Sequence, residues 1–433
     1  MQNSDGAPIV EAVWAEPDSL LGMIQRGRGA AYAAALDQPE LAAEYVIGCI
    51  VDDPRWDHQV EHRGWLYATL IAELGIDLRL LRAAYARPLD PSGDSDAWLA
   101  VRVFELLARR GVPGSVAELR RYLRTGRDFD LAFGALVPFF EHPEAEGLLE
   151  EALGVADDEQ LRWAIEWGQD FSAGPWPVWR RASARIDRAI SDMERKRARP
   201  PTGPSGRAAR DAAERERILR AVVESGLVQE VSPAGITDEL WEGVLLDVAP
   251  TVLAEGAATL AVRVAVRRQL RRLRSPRALE WARARADLDS SIGGAALSLL
   301  TDIGEKSDAP RLFDRLEAAH GGGNDYIDDQ CSLVDALARL DYVPAVPVVE
   351  AIFDSTVYSY LRIRCAEALR RLSAEFPRGR AVECLTDCEE QSREIAIGHV
   401  DISVCAVRER LGVIAADPME GDENRRVAAT RIS

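Results

Sequence analysis

Apolar residues recur at i, i+3, i+4 and i+7 along most of this chain, and the segments that carry them can be laid over one another. Residues 101–111 (VRVFELLARRG), 131–141 (LAFGALVPFFE) and 161–171 (LRWAIEWGQDF) begin at steps of 30 residues. A second series begins at Ala295 (AALSLLTDIG), Ser332 (SLVDALARLD), Arg364 (RCAEALRRLS) and Arg393 (REIAIGHVDI), at steps of 37, 32 and 29. Such spacing puts the apolar side chains along one side of a helix, so each segment reads as a half-buried helix. A repeat of roughly 20 to 50 residues marks an array in which each unit buries its apolar face against its neighbours. Alternation of period two is never sustained, so no strand is expected. The pattern predicts an all-α chain, an α-solenoid of helix pairs.

Punctuation between the stripes sets the expected organisation. Residues 39–53 read as one helix, 55–75 as the next, and 97–110 as a third that stops at Gly111. Pro113 then opens a partner helix with Val116, Leu119 and Leu123 facing inward, since proline suits a first helical turn and glycine the position just past a last one. Residues 128–140 pair with 144–153, and 157–168 begin another unit. The rhythm breaks at 199–206 (RPPTGPSG), where prolines and glycines cannot continue a helix, inside the charged segment 192–217. The expected division is an N-terminal array over 1–190, a charged linker over 191–207 and a C-terminal array over 208–418. Residues 419–433 have no stripe and are expected to be a disordered tail.

These helix pairs resemble HEAT-like repeats of the bacterial kind, similar to the phycobilisome-lyase-type modules, over residues 39–168 and 290–416. The alanine and leucine stripes carry the likeness, as in 364–373 (RCAEALRRLS), with Asp130, Asp157 and Pro344 at unit starts. The resemblance implies a scaffold that binds other proteins.

Composition narrows the setting. Of the 53 basic residues only Lys196 and Lys306 are lysines, and the chain is rich in alanine, arginine and glycine, the usage of a GC-rich bacterial genome. Six cysteines without dense spacing suit a reducing cytoplasm better than a disulfide scaffold. No run of 18 apolar residues and no leader pattern is present, so no membrane association is expected. The net charge of −18 is unevenly spread. Residues 1–190 carry 31 acids and 19 bases, 191–286 carry 13 and 18, and 287–433 carry 27 and 16. Two acidic wings flank a basic middle, and the wings disfavour nucleic acid at long range.

Four constellations are candidates for chemistry or binding. His58, Glu61 and His62 spell H-x-x-E-H (HQVEH). On a helix the two histidines would share one face, as a tetrahedral zinc requires, with Glu61 as general base. The inverted zinc proteases that this string resembles supply a third ligand from a later glutamate, a place Glu141 could take, but their fold contains sheets. The alternative is a polar flank of an ordinary repeat helix. Cys384, Cys388, His399 and Cys405 read C-x3-C-x10-H-x5-C, a loose structural-zinc spacing, set against ordinary buried cysteines such as Cys331 and Cys365.

The third constellation is basic. Residues 256–285 hold nine arginines and no acid but Glu280. Arg263, Arg267, Arg271 and Arg274 are expected to share one helix face able to grip phosphates, with Leu260, Val264, Leu270 and Leu273 elsewhere on the helix. The helical-repeat alkylpurine DNA glycosylases give a precedent, with Trp281 and Asp287 nearby here, whereas internal pairing with carboxylates of neighbouring repeats is the structural alternative. Fourth, Trp163, Trp167, Trp176 and Trp179 cluster within 163–179, either as a hot spot for a partner or as the cap of an array. The favoured reading is a non-enzymatic protein-protein interaction scaffold or adaptor with no cofactor and a protein partner. A nucleic-acid-binding repeat protein using the arginine helix stands behind it, and a zinc hydrolase at His58 and His62 behind that.

Overall fold

The computed structural model describes residues 14–82, 97–125, 127–166, 170–198, 207–224, 238–254, 258–287 and 290–433, and among them only helices, turns and connecting segments occur. In chain order the first helices are α1 (Leu20–Arg26), α2 (Ala30–Asp37), α3 (Pro39–Val51), α4 (Gly64–Leu74), α5 (Trp98–Arg109) and α6 (Ser115–Leu123). Then come α7 (Phe129–Leu136), α8 (Leu148–Val155), α9 (Asp158–Glu166), α10 (Trp176–Ala182) and α11 (Ala184–Ala198). The middle of the chain supplies α12 (Arg207–Glu224), α13 (Asp238–Leu253), α14 (Leu260–Leu270), α15 (Pro276–Arg283), α16 (Ser291–Ile303), α17 (Ala309–Gly321) and α18 (Ile327–Arg339). Last are α19 (Val346–Ser355), α20 (Ser359–Leu372), α21 (Arg380–Cys384), α22 (Glu390–His399), α23 (Cys405–Ala416) and α24 (Asp422–Ile432). None of the described helices is long and apolar enough to cross a membrane.

Local chemistry explains many of the boundaries. The Ser19 hydroxyl caps α1 by accepting from the Gly22 N–H, and Ser275 and Ser290 do the same for α15 and α16. Pro276 occupies the first turn of α15, where its missing N–H costs nothing. Gly27 and Gly75 end α1 and α4 in the left-handed conformation.

Two compact units result, one joining Met1–Arg199 to Glu350–Ser433, the other made of Pro200–Val349. In the first unit sequence neighbours pack, and so does every second helix along α5, α7, α9 and α11 and along α20, α22 and α24. One apolar cluster runs from Leu20 to Ile190 and takes in Cys388 and Met419 from the far end of the chain. In the second unit α12 packs on α14, and α16 on both α14 and α18.

This division differs from the expected one in three places. Residues 350–433 belong with the N-terminal helices instead of forming the end of a single C-terminal array over 208–418. Residues 191–198 of the expected linker lie within α11, while 199–206 fall outside the described residues. The tail expected to be disordered contains α24, which packs against α22 and α23. Its anchors are polar, which is why no apolar stripe announces it. Arg431 donates to the Val400 carbonyl at 2.8 Å and Asn424 donates to Glu420 at 3.1 Å.

Candidate functional site

The densest polar chemistry in the molecule is a seam inside the first unit, built on the run Arg26-Gly27-Arg28-Gly29. Gly27 has φ 68°, and a Cβ there would lie 2.5 Å from Cys388 Sγ and 2.6 Å from Arg63 Cδ. A Cβ on Gly29 would overlap the Glu383 carbonyl. Only glycine lets this strip of backbone lie against residues 383–388, where the Gly27 carbonyl accepts from the Cys388 N–H at 3.1 Å. Arginines lock the approach. Arg28 donates to Asp354 at 2.6 Å and to Glu383 at 3.1 Å, and Arg26 to the Ser355 carbonyl at 3.0 Å.

Deeper in, Arg63 and Arg362 are wholly buried. Arg63 donates to Glu61 at 2.8 Å and to the Val357 carbonyl at 3.0 Å; Arg362 grips Asp387 at 2.6 and 3.2 Å and the Gly27 carbonyl at 3.1 Å. Arg393 forms a two-pronged pair with Glu420 at 2.6 and 2.9 Å and lies 3.8 Å from the centre of the Trp65 ring. Burial pushes the Glu61 carboxyl up, but the Arg63 guanidinium and hydrogen bonds from Ser359 and the Asp57 N–H outweigh it, so Glu61 sits below the usual carboxylate range. Burial, followed by the nearby Arg28, Arg362 and Arg63 charges, lowers Arg26 to about 10.

The seam absorbs the H-x-x-E-H string. Residues 58–60 form a turn, and the helix expected from residue 55 starts only at Gly64, so the two histidines are not one helical turn apart on a shared face. Both are exposed, whereas Glu61 between them is buried and saturated by Arg63, Ser359 and Asp57. Nor do Cys384, Cys388, His399 and Cys405 converge. Cys384 and Cys388 are buried with thiols pushed up by burial, Cys405 is exposed beside Glu409, and His399 is exposed with Nδ1 2.9 Å from the Ile395 carbonyl. Among the described residues no group of three His, Cys, Asp or Glu side chains is placed to hold a metal ion.

The tryptophans separate into core and surface. Trp176 and Trp179 are buried, meeting edge to face at 5.5 Å, and Trp179 stacks on Phe133 at 5.6 Å. Trp163 is 54% exposed and borders a groove of about 310 Å³ with Glu159, Arg162, Glu166 and Asp192. Trp167 lies outside the described residues.

In the second unit the arginines divide too. Arg268 pairs with Glu214, Arg272 with Asp211, and Arg283 with Asp308 and Glu305, while Arg285 covers the buried Trp281 ring. Trp281 donates to the Leu246 carbonyl at 3.0 Å and Asp287 pairs with Arg311, so neither lines an open pocket for a base. Of the four arginines expected on one face, Arg271 makes a 3.4 Å pair with Asp302, while Arg263 and Arg267 have no carboxylate partner among the described residues. Because α14 ends at Leu270, Arg274 lies beyond the helix and turns back to donate to the Arg271 and Leu273 carbonyls at 2.6 Å.

The buried side of α14 consists of Val262, Ala265, Val266, Gln269 and Leu270. Leu260 and Val264, expected away from the basic row, are 67% and 41% exposed among it. At 100° per residue, Leu260, Val264, Arg267 and Arg271 fall on one side. The result is an apolar stripe flanked by guanidinium groups. Its apolar half was detectable in the sequence only by asking which i, i+4 pair the buried stripe leaves over. The seam had no such signal, since the contacts that join its two segments, such as Glu61 with Ser359 and Arg362 with the Gly27 carbonyl, span about 300 residues. Comparisons with protein-family models, with curated proteins and with solved structures return no match for this chain.

Proposed function

We propose that this chain is a non-enzymatic interaction protein, a scaffold or adaptor of HEAT-like helical repeats, whose exposed α14 face binds an acidic segment of a protein partner. The packing of every second helix supports the repeat architecture. The observation that carries the binding reading is the exposed pair Leu260 and Val264 beside Arg263 and Arg267, two guanidinium groups with no carboxylate of their own among the described residues. Apolar contact supplies affinity at such a face, and charge selects an acidic partner and speeds encounter. The polar groups most suggestive of catalysis, Glu61 and Cys388, are held in the seam away from solvent. A cytoplasmic location, expected from the sparse cysteines, belongs to the same reading.

The test is fluorescence anisotropy with a labelled amphipathic peptide rich in glutamate and leucine, beside a labelled DNA duplex. The peptide is expected to bind, and Arg267→Glu with Val264→Ser to abolish binding. Binding of the duplex alone, with steep salt dependence, would transfer the face to the nucleic-acid reading, which its guanidinium groups also favour. Binding of neither probe overturns the proposal.

A further inference from the structure

The chain carries its own complement to the α14 face. Residues 141–166 contain nine acids and one base, Arg162, the mirror image of the nine arginines and single glutamate of 256–285. Within this acidic segment Glu146, Glu150 and Glu159 are exposed and form no ion pair among the described residues, while Asp158, Glu151 and Glu166 are already paired to arginines or lysine. Trp163, on the same segment, presents half its surface to solvent at the edge of its groove. Each region therefore has exposed charge of predominantly one sign near uncovered apolar surface, Leu260 and Val264 on one and, on the other, Trp163, whose groove Glu159 shares with Arg162 and Lys196.

We infer that the α14 face of one copy docks on the 141–166 strip of a second copy, a head-to-tail contact between unlike surfaces. Carboxylates of Glu150 and Glu159 would meet Arg263 and Arg267, and Trp163 would cover Leu260 and Val264. A tryptophan against aliphatic side chains within a charged rim is the composition of an interface hot spot. Since the two surfaces differ, such a contact leaves one of each free on every pair, so it propagates to chains or closes into rings. Charge supplies the register, and the assembly is therefore sensitive to salt, because exposed charges more than about 10 Å apart are screened at 0.1 M.

The inference rests on the proposed binding role of the α14 face, and the experiment separates the two. Sedimentation velocity of the full chain at low ionic strength is expected to show mass growing with concentration, and a return to monomer at high salt. Arg263→Glu with Arg267→Glu, or Glu150→Arg with Glu159→Arg, should each weaken self-association by at least about 10-fold. Mixing the two variants should restore it, because each contact between one variant and the other again joins opposite charges. A wild-type chain that stays monomeric at low salt, or assembles equally well with either strip alone reversed, overturns the inference. If the monomeric chain still binds the acidic peptide, the binding role survives and only the second copy is excluded; if it binds neither, both fall.

Discussion

Arginine does opposite work in the seam of the first unit and on the α14 face of the second. In the seam Arg28, Arg63, Arg362 and Arg393 are each matched by a carboxylate and sealed from water. On α14 Arg267 stands in solvent and Arg263 is half-buried, and among the described residues neither has such a match. The seam joins segments that the sequence separates by about 300 residues, with partners such as Arg362 and the Gly27 carbonyl 335 residues apart. The α14 face makes a single pair of this kind, Arg271 with Asp302, among the described residues. Charge buried and paired builds the structure, whereas charge exposed beside apolar surface stays open to solvent, as the proposed binding role requires.

Breaking a seam pair is the largest way to test that contrast. Arg362→Met strands Asp387 without its cation and is expected to lower stability by about 3–5 kcal/mol in urea unfolding, whereas Arg362→Met with Asp387→Leu should recover most of the loss. Next comes the glycine that permits the seam. Gly27→Ala combines a positive φ with a clash against Cys388 and Arg63, for roughly 2–5 kcal/mol. Gly111→Ala, at φ 76° but in open space, should cost only about 1–2 kcal/mol by the same measurement.

A gentler probe is acid. Glu61 is held below its ordinary value, so its contribution to stability is present above about pH 4.5 and is lost as pH falls through its lowered folded value. Denaturation monitored against pH should show the first unit loosening as it is acidified, with a shallower slope in Glu61→Gln. The smallest effect on stability belongs to the α14 face, where Arg267→Ala and Val264→Ser should each change unfolding free energy by less than about 0.5 kcal/mol. The same two variants should weaken peptide binding. A strong loss of stability from either would mean the face is structural, and the contrast with the seam would fail.

Much of the helical framework was legible from spacing, because apolar periodicity and capping act over three to seven residues. The helices over 39–51, 98–109, 129–136 and 359–372 follow their stripes closely. Where spacing misled, tertiary contact had overridden it. The H-x-x-E-H string reads as two ligands one helical turn apart, but Glu61 is drawn into the seam by Arg63 and Ser359, and the turn at 58–60 delays the helix to Gly64. The final helix carries no stripe for a related reason, as Arg431 and Asn424 anchor it by hydrogen bonds that leave no periodic signature.

By itself the sequence determined an all-helical chain, the uneven charge and the cluster of arginines at 256–285, since each is a property of composition or of neighbours along the backbone. The tertiary structure alone decided that the last 84 residues, Glu350–Ser433, belong with the first 199. It also decided which arginines are spent on internal carboxylates and which are left exposed. A guanidinium carries the same charge wherever it stands in the sequence, and only the positions of distant carboxylates fix whether that charge is neutralised within the fold or remains available at the surface.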